Sequence, residues 1–180
     1  GINTTASGTA STAMGRNSYA FGDYSTAMGY STTASGNNAS AMGSGTTASD
    51  YASLVIGQFN SSGSSATSAG SFSTSNTAFV IGNGADSSNK SDAFKVMFNG
   101  DATVSNDLTV SGDVVVSSDA RLKSNIVSLG STLSRLLLID GKSYEMKGKQ
   151  KIGVLAQDIK EVFPELVTED DNEMLAVNYQ

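Results

Sequence analysis

The chain offers few of the side chains that usually carry catalysis. Its 180 residues contain neither histidine nor cysteine. Thiol catalysis, Ser-His-Asp hydrolysis and the ordinary zinc sites are therefore excluded. The groups left to react are hydroxyls, lysines and carboxylates, and any nucleophile must find its base among them. We expect neither a metal site nor a cofactor.

One hydroxyl and one lysine stand at a spacing that a Ser-Lys pair could use, namely Ser118 and Lys123. A serine hydroxyl is a poor nucleophile at neutral pH and needs a base. In a chain without histidine, a lysine that has lost its proton is the obvious base. Asp119 and Asn125 are weaker candidates for orienting such a site. Spacing alone favours a turn or N-cap serine and a solvated lysine at a strand end, because both residue types are common on protein surfaces.

Two further sets of residues bear on ligand binding. The acidic run at 169–173 offers oxygen ligands for calcium, but it lacks the EF-hand spacing, and a solvated hairpin turn explains it more simply. Four tyrosines stand out in a Ser/Thr-rich region and could stack on sugar rings: Tyr19, Tyr24, Tyr30 and Tyr51. Packing at strand ends explains them equally well, since isolated surface aromatics are normal.

A seven-residue repeat occupies the first part of the chain, and it predicts the elements that position the tyrosines. Alanine, and finally Val55, stands two places before a recurring slot, and Met or Phe often stands directly before it. The slot holds Gly8, Gly15, Gly22, Gly29, Gly36, Gly43, then Asp50, and again Gly57. One short unit copied along a chain is typical of a solenoid, and a helical heptad would not tolerate a glycine in each repeat. The pattern predicts short strands, each ended by a glycine turn.

The repeat restricts two neighbouring positions, which on a strand point to opposite faces. The first position is small and apolar, and the second is often large and apolar, as in Met14, Phe21, Met28 and Met42. A roll made by one chain has one interior and can bury only one of these faces. We therefore expect the other face to pack against copies of the same chain. In the alternative, alanine lies outward and is simply tolerated there.

Beyond residue 60 the pattern changes. Residues 61–101 predict a capping module with tight Asn-Gly turns at 83–84 and 99–100. Residues 102–117 alternate apolar and polar, and they predict a narrow β-stem that must be shared between chains, because so short a segment cannot bury a face alone. Residues 118–180 predict a small α+β unit. Its elements are a short helix capped by Ser131, strands at 142–147 and 151–155, a helix from 156 that Pro164 ends, and a hairpin around the acidic run.

Charge divides the chain unevenly. Residues 1–90 carry only Arg16, Asp23, Asp50, Asp86 and Lys90 as charged side chains, which indicates at least two structural regions. The net charge of −6 and the lack of a basic stripe argue against a nucleic-acid partner. No apolar run has the length of a membrane helix, so we expect no membrane insertion. The repeat is already in phase at Gly1, and we expect a fragment of a longer chain.

The repeats resemble a known family. The segments STAMGRN (11–17), SYAFGDY (18–24) and ASAMGSG (39–45) are similar to the Ala-x-Gly heptads of trimeric autotransporter adhesins. The heads of those proteins are left-handed parallel β-rolls, and three chains pack their rolls around one axis. The resemblance covers residues 1–57 and implies a homotrimer.

The C-terminal part resembles the intramolecular chaperone domain of endosialidases and phage tail fibres, which also occurs in myelin regulatory factor. The resemblance rests on SDARLKSNI (118–126), IGVLAQDIKEVFPELV (152–167) and LAVNY (175–179). It implies a domain that drives trimer assembly and is then often released by self-cleavage between Ser117 and Ser118, with Ser118 as nucleophile and Lys123 as base. The family domain usually continues into a long helix beyond the point where this chain ends, and we expect the 180-residue chain to stay intact.

We therefore predict a mostly β fold, a homotrimeric β-roll with a β-stem, followed by a small α+β domain. The predicted domains are the roll (1–60), the capping module (61–101), the stem (102–117) and a partial chaperone domain (118–180). The predicted function is that of an extracellular fibre or adhesin segment on a bacterial surface or phage tail, with a cell-surface glycan or protein as receptor. The alternative is a tail-fibre or tailspike portion of a carbohydrate-degrading phage protein whose enzyme domain lies upstream. Any reaction of this chain is at most a single self-cleavage.

Overall fold

The computed structural model describes residues 1–169 and 173–178. The chain divides into two compact units, Gly1–Val110 and Ser111–Gln180. Strands dominate and helices are few, so the predicted mostly β fold class with a solenoid is confirmed. Within the described part of the chain, no helix has the length and apolarity needed to cross a membrane.

The repeating element of the first unit is a coil of two heptads. Its strands alternate between two parallel sheets, in which Met14 lies opposite Met28 and Tyr19 opposite Thr33. Each coil therefore rises by one strand spacing, about 4.8 Å. The long sheet contains β2 (Thr12–Arg16), β4 (Thr26–Tyr30), β6 (Ser40–Ser44) and β8 (Leu54–Gln58); the short sheet contains β1 (Thr5–Ala6), β3 (Tyr19–Ala20), β5 (Thr33–Ala34) and β7 (Thr47–Ala48).

The alanine position fills the interior of the roll. Its core members have no exposed surface: Ala20, Ala27, Ala34, Ala41, Ala48 and, further along, Val55 and Val80. Small side chains suit a narrow interior, where larger ones would overpack. The alternative with alanine facing outward is wrong. The Met/Phe position faces outward instead, since Met28 is 38% and Phe21 49% exposed.

Glycine recurs because successive coils approach too closely for a side chain. A Cβ on Gly29 would lie 2.0 Å from the carbonyl oxygen of Gly43, and Gly29 also has a φ of +135°. A Cβ on Gly22 would lie 2.1 Å from the carbonyl oxygen of Gly36. The predicted glycine turn is correct at Gly22, which lies in a bend. It is wrong at Gly29, which lies inside β4, because every second heptad forms a long strand.

Asp50 ends the short sheet by occupying a glycine position. Its carboxylate is fully buried and accepts backbone hydrogen bonds from Thr67 (2.6 Å), Ser68 (3.3 Å) and Thr77 (2.8 Å). Burial of a carboxylate is tolerated when such donors satisfy it. The side chain thereby holds the segment 61–76 at the place where a further coil would stack.

The long sheet continues through the predicted capping module. Strand β9 (Thr77–Asn83) runs parallel to β8, and β10 (Asp92–Met97) and β11 (Ala102–Val104) follow it as antiparallel strands. The module therefore extends the long sheet from parallel coils into a meander.

The two Asn-Gly pairs behave differently. Asn99 and Gly100 form the predicted tight turn between β10 and β11, with a φ of +96° at Gly100. Asn83 and Gly84 do not form one, because a longer loop leads from β9 to β10. Asp86 organises that loop. Its carboxylate accepts hydrogen bonds from the Asn89 side chain and from the backbone N–H groups of Ser88 and Asn89. These bonds lower the pKa of Asp86, and the bond from the Asn89 side chain contributes most.

The predicted stem is only partly formed in the single chain. Residues 102–104 make β11, whereas residues 105–117 form no strand. The apolar side chains of that segment are exposed, including Leu108, Val114 and Val116. The backbone groups of a strand need a partner strand, and a second chain could supply one. Sharing of the stem between chains therefore stays a prediction.

The second unit has the predicted α+β composition. Helix α2 ends before Pro164 as expected, but the cap of α1 is Thr132 and not Ser131, and Thr132 makes no side-chain capping bond. The turn at 170–172 and Tyr179 lie outside the described residues. The elements are α1 (Leu133–Leu136), the antiparallel pair β12 (Lys142–Met146) and β13 (Lys149–Gly153), α2 (Ala156–Val162), and the antiparallel pair β14 (Val167–Glu169) and β15 (Leu175–Val177).

The core of the second unit is small. Among its described residues, only Ile159 and Phe163 are buried apolar side chains. Leucines of and around α1 are mostly exposed, with Leu133 at 65% and Leu137 at 76%. A unit with so little buried apolar surface gains little stability from its own packing.

Candidate functional site

The structure brings the predicted Ser-Lys pair into contact. The Lys123 Nζ donates a hydrogen bond to the Ser118 Oγ at 2.8 Å. A 3-10 turn, Ala120–Leu122, lies between the two residues and folds the chain back, with the Lys123 N–H bonded to the Ala120 carbonyl. Both side chains are exposed in the single chain.

The Asp119 carboxylate binds groups of this turn and does not bind Lys123. Its carboxylate caps the turn by accepting the backbone N–H of Arg121 at 2.8 Å. The Arg121 guanidinium also binds both carboxylate oxygens, with Nη2 at 2.7 Å from Oδ2. These hydrogen bonds from Arg121 lower the pKa of Asp119. Asp119 therefore holds the turn between Ser118 and Lys123, and its orienting role in a catalytic site stays a prediction.

Asn125 and Ser117 are the two remaining residues predicted for this site. Asn125 adopts a left-handed conformation with a φ of 53°, and no hydrogen bond joins it to Ser118 or Lys123. Ser117 precedes the pair in an exposed segment without a strand. Its peptide bond to Ser118 directly precedes the residue that carries the hydroxyl, and both serines are exposed.

The arrangement can support one kind of chemistry. With its proton removed, an amine at hydrogen-bond distance from a hydroxyl can serve as the general base for attack on a carbonyl. A solvated ammonium cannot, and a lysine must leave water before it loses its proton at neutral pH. The single chain therefore holds the two groups at hydrogen-bond distance, with both side chains exposed to solvent.

A second feature is a continuous apolar row on the outer face of the long sheet. The strand register relates one outward side chain on each of the seven strands of this sheet, and the step from Met42 to Ile56 follows from the flanking pairs Ala41–Val55 and Ser44–Gln58. The members, from β2 to β11, are Met14, Met28, Met42, Ile56, Ile81, Phe94 and Val104. All are exposed or half-buried in the single chain. We call these residues the apolar row.

The four predicted glycan-contact tyrosines do not share a surface. Tyr30 lies on the long sheet under the guanidinium of Arg16, 5.7 Å from the ring centroid. Tyr24 occupies a corner with a φ of 59° and is exposed. Tyr51 is half-buried in a turn, where its N–H bonds to the carbonyl of Ser68.

Tyr19 lies on the short sheet and contacts Phe21, a residue that we expected on the same face as Met28. Its ring stacks on Phe21, with centroids 5.6 Å apart and planes at 22°. Phe21 occupies the same heptad slot as Met28, and we expected both on one face. Because alternate heptads form different sheets, Phe21 directly follows β3 of the short sheet, where its N–H donates to the Ala34 carbonyl, and Met28 lies on the long sheet. The two-residue separation of Tyr19 and Phe21 was the signal that could have found this pair.

The second unit carries a shallow apolar groove of about 390 Å³ beside α1 and α2. Arg135 spans its wall, with the guanidinium 4.2 Å from the centroid of the Phe163 ring and a hydrogen bond to the Val162 carbonyl. The described residues include no cluster of three or more acidic side chains arranged to hold a metal ion. Calcium binding at 169–173 falls mostly on residues outside the described part.

Comparison with protein families agrees with both resemblances. Residues 1–32 and 34–60 each match the YadA head domain repeat. Residues 118–168 match the family described as chaperone of endosialidase. No curated protein shows a significant match to the chain. The predicted order, adhesin-type head repeats followed by an intramolecular chaperone domain, is therefore confirmed.

Proposed function

We propose that this chain is a segment of a homotrimeric fibre or adhesin exposed on a bacterial surface or a phage tail. The apolar row is the observation that carries the proposal. The interior of the roll is already filled by alanine, so the row cannot fold inward within one chain. A row that crosses all seven strands is a contiguous apolar surface of the kind that marks protein interfaces. Copies of the same chain present the same row, and three of them can close around one axis.

The second unit supports the proposal because it buries few apolar side chains on its own. Its exposed leucines outnumber its two buried apolar residues, so association would supply the burial that the single unit lacks. Association of three C-terminal units would align three chains before the roll and stem pair. Such alignment helps because non-local β pairing is slow and exposes unpaired edges. This is the chaperone role that the family match suggests for residues 118–168.

We further propose that, in the product of the full reading frame, the second unit cleaves the chain between Ser117 and Ser118. Lys123 removes the hydroxyl proton of Ser118, and Oγ attacks the carbonyl carbon of Ser117. The C–N bond breaks, the Ser118 nitrogen takes up a proton, and an ester joins Ser117 to the Ser118 Oγ. Water then hydrolyses the ester, which leaves a carboxylate on Ser117 and restores the hydroxyl. The Lys123–Ser118 distance of 2.8 Å supports this assignment.

Light scattering on the purified chain tests the assembly proposal. At micromolar concentration we expect three times the chain mass. Met28→Asp should reduce the mass, because an unpaired charge buried in an interface is strongly destabilising. Ser7→Asp is the matched control, since Ser7 is exposed on the other sheet. A folded monomer of the unmodified chain would sink the proposal.

Denaturing gels and mass spectrometry of the full reading frame test self-cleavage. We expect one fragment that ends at Ser117 and one that begins at Ser118. Ser118→Ala and Lys123→Ala should both abolish the split while the chains still form trimers. Cleavage that persists in Ser118→Ala would mean that the nucleophile is wrongly assigned. Full-length trimers that never cleave would remove the protease proposal and leave the chaperone role.

A portion of a carbohydrate-degrading phage protein is the second candidate, because the family matched by residues 118–168 is named for endosialidases. A catalytic domain upstream in the full reading frame would favour it. A reading frame made only of head repeats and stems would favour the adhesin.

A further inference from the structure

We propose that the stacked pair Tyr19 and Phe21 binds a neutral carbohydrate on the outer face of the short sheet. The inference deepens the proposed surface-binding role and rests on it. Stacking holds the two rings together, with Phe21 still 49% exposed. Aromatic side chains give large contact area at low cost in conformational freedom. The Tyr19 hydroxyl adds a donor and acceptor beside the ring surface.

The strands on both sides supply hydroxyls at the same height. Thr5 and Thr33 lie opposite Tyr19 in the parallel register. Ser7 and Ser35 occupy the position of Phe21 in the preceding and following coils. These side chains lie about 4.8 Å to either side of the aromatic pair, one strand spacing away. An apolar surface flanked by hydroxyls suits a sugar, whose ring has apolar C–H faces and a rim of hydroxyls.

The charge of the surroundings indicates an uncharged ligand. In residues 1–60 only Arg16, Asp23 and Asp50 are charged. Arg16 lies on the long sheet against Tyr30, and Asp50 is buried. The Asp23 carboxylate accepts the backbone N–H of Thr9 at 2.7 Å, so it serves the corner of the coil. Within residues 1–60, no cationic side chain is thus available on this face to pair with an anionic sugar.

The pair differs from the apolar row in a way that argues against an assembly contact. The row continues through every strand of the long sheet, whereas the short sheet returns to Thr and Ser in the coils on both sides of the pair. An aromatic pair confined to one coil is too small for an extended interface, so we assign it to a local ligand contact. Weak sites repeated on three associated chains would add through multivalency.

The natural coils provide the test variant. Tyr19→Thr with Phe21→Ser installs the residues that the next coil carries at 33 and 35, so the fold should be retained. Tyr30→Ser is the matched control, because it installs the residue at 44 on the other sheet. Saturation-transfer NMR of the full chain uses maltohexaose, cellohexaose and mannohexaose as neutral probes and a heparin hexasaccharide as the anionic probe.

We expect saturation transfer to at least one neutral probe, reduced about fivefold or more by the double change and kept in Tyr30→Ser. Transfer to none of the neutral probes, transfer only to heparin, or equal transfer in the double variant would each overturn the proposal. A double variant with lower assembled mass would show that the pair is an assembly contact. Binding by an unmodified chain that proves to be a monomer would refute the trimer and leave this site standing.

Discussion

Substitutions at four glycines separate the two reasons for which the coil needs glycine. Gly29 combines a φ of +135° with a Cβ position 2.0 Å from the Gly43 carbonyl oxygen. Gly22 has the close approach alone, at 2.1 Å from the next coil. Gly100 has the positive φ alone, since nothing lies within 4 Å of its Cβ position, and Gly112 has neither feature. Alanine at each position therefore forms a two-by-two comparison of strain and crowding.

The expected costs follow from these two features. A non-glycine residue in so unusual a conformation costs about 1–3 kcal/mol. Forcing an extra methyl into packed structure costs about 1–3 kcal/mol, and here the obstacle is backbone in a hydrogen-bonded ladder. Gly29→Ala should therefore lower the free energy of unfolding by about 2–6 kcal/mol and Gly22→Ala by about 1–3 kcal/mol. Gly112→Ala should be neutral or slightly stabilising, because alanine restricts the unfolded chain.

Urea unfolding followed by far-UV circular dichroism measures these differences. All variants must be compared at one protein concentration, since association adds to apparent stability. The order from most to least destabilised should be Gly29, Gly22 or Gly100, then Gly112. If Gly22→Ala were as stable as Gly112→Ala, the coils could separate without cost, and crowding would not explain the glycine at this position of the repeat.

Three further outcomes test other parts of the structure. Asp50→Asn should lower the free energy of unfolding by about 2 kcal/mol or more, since an amide cannot accept all three backbone bonds and leaves a buried donor unpaired; the exposed Asp107→Asn is the control, and equal stability of the two would contradict the role of Asp50. The Asp119–Arg121 pair should persist above the ordinary pKa of Asp119 and be lost as the pH falls through its lowered value. In a carboxyl-carbon NMR titration, Arg121→Gln should raise the pKa of Asp119, and an unchanged midpoint would refute the pairing. Hydrogen peroxide should oxidise Met28 more slowly in the assembled chain than in a dissociated one, as read by peptide mass, and equal rates would place the apolar row outside the interface.

Much of the fold could be predicted because one physical constraint recurs in every heptad. The recurring alanine indicates a narrow interior, and the recurring glycine indicates a close approach between coils. The structure shows the first at Ala27 and the second at Gly29. The Ser118–Lys123 contact was also accessible, because five residues with one tight turn bring two side chains together. The elements of the second unit followed from local signals such as Pro164, which stops α2.

The errors came from information that a seven-residue period does not contain. The same slot holds Phe21 and Met28, and only the closure of the roll sends one to the short sheet and the other to the long sheet. The role of Asp50 depends on donors from Thr67 and Thr77, which are far from it in sequence. The Asn83–Gly84 pair carries a hairpin signal, but the chain makes a longer loop that Asp86 organises.

Both units leave apolar side chains exposed to water when the chain is alone. The roll fills its interior with alanine and leaves a row of larger apolar side chains outside. The second unit buries Ile159 and Phe163 and leaves its leucines in water. Apolar surface of this extent is removed from water most simply by association with copies that present the same surface. If association also takes the Ser118–Lys123 pair out of water, it meets the condition that the proposed chemistry requires. Assembly and cleavage would thus depend on one event, so a change that blocks the trimer should also block the split, while Ser118→Ala should block the split alone.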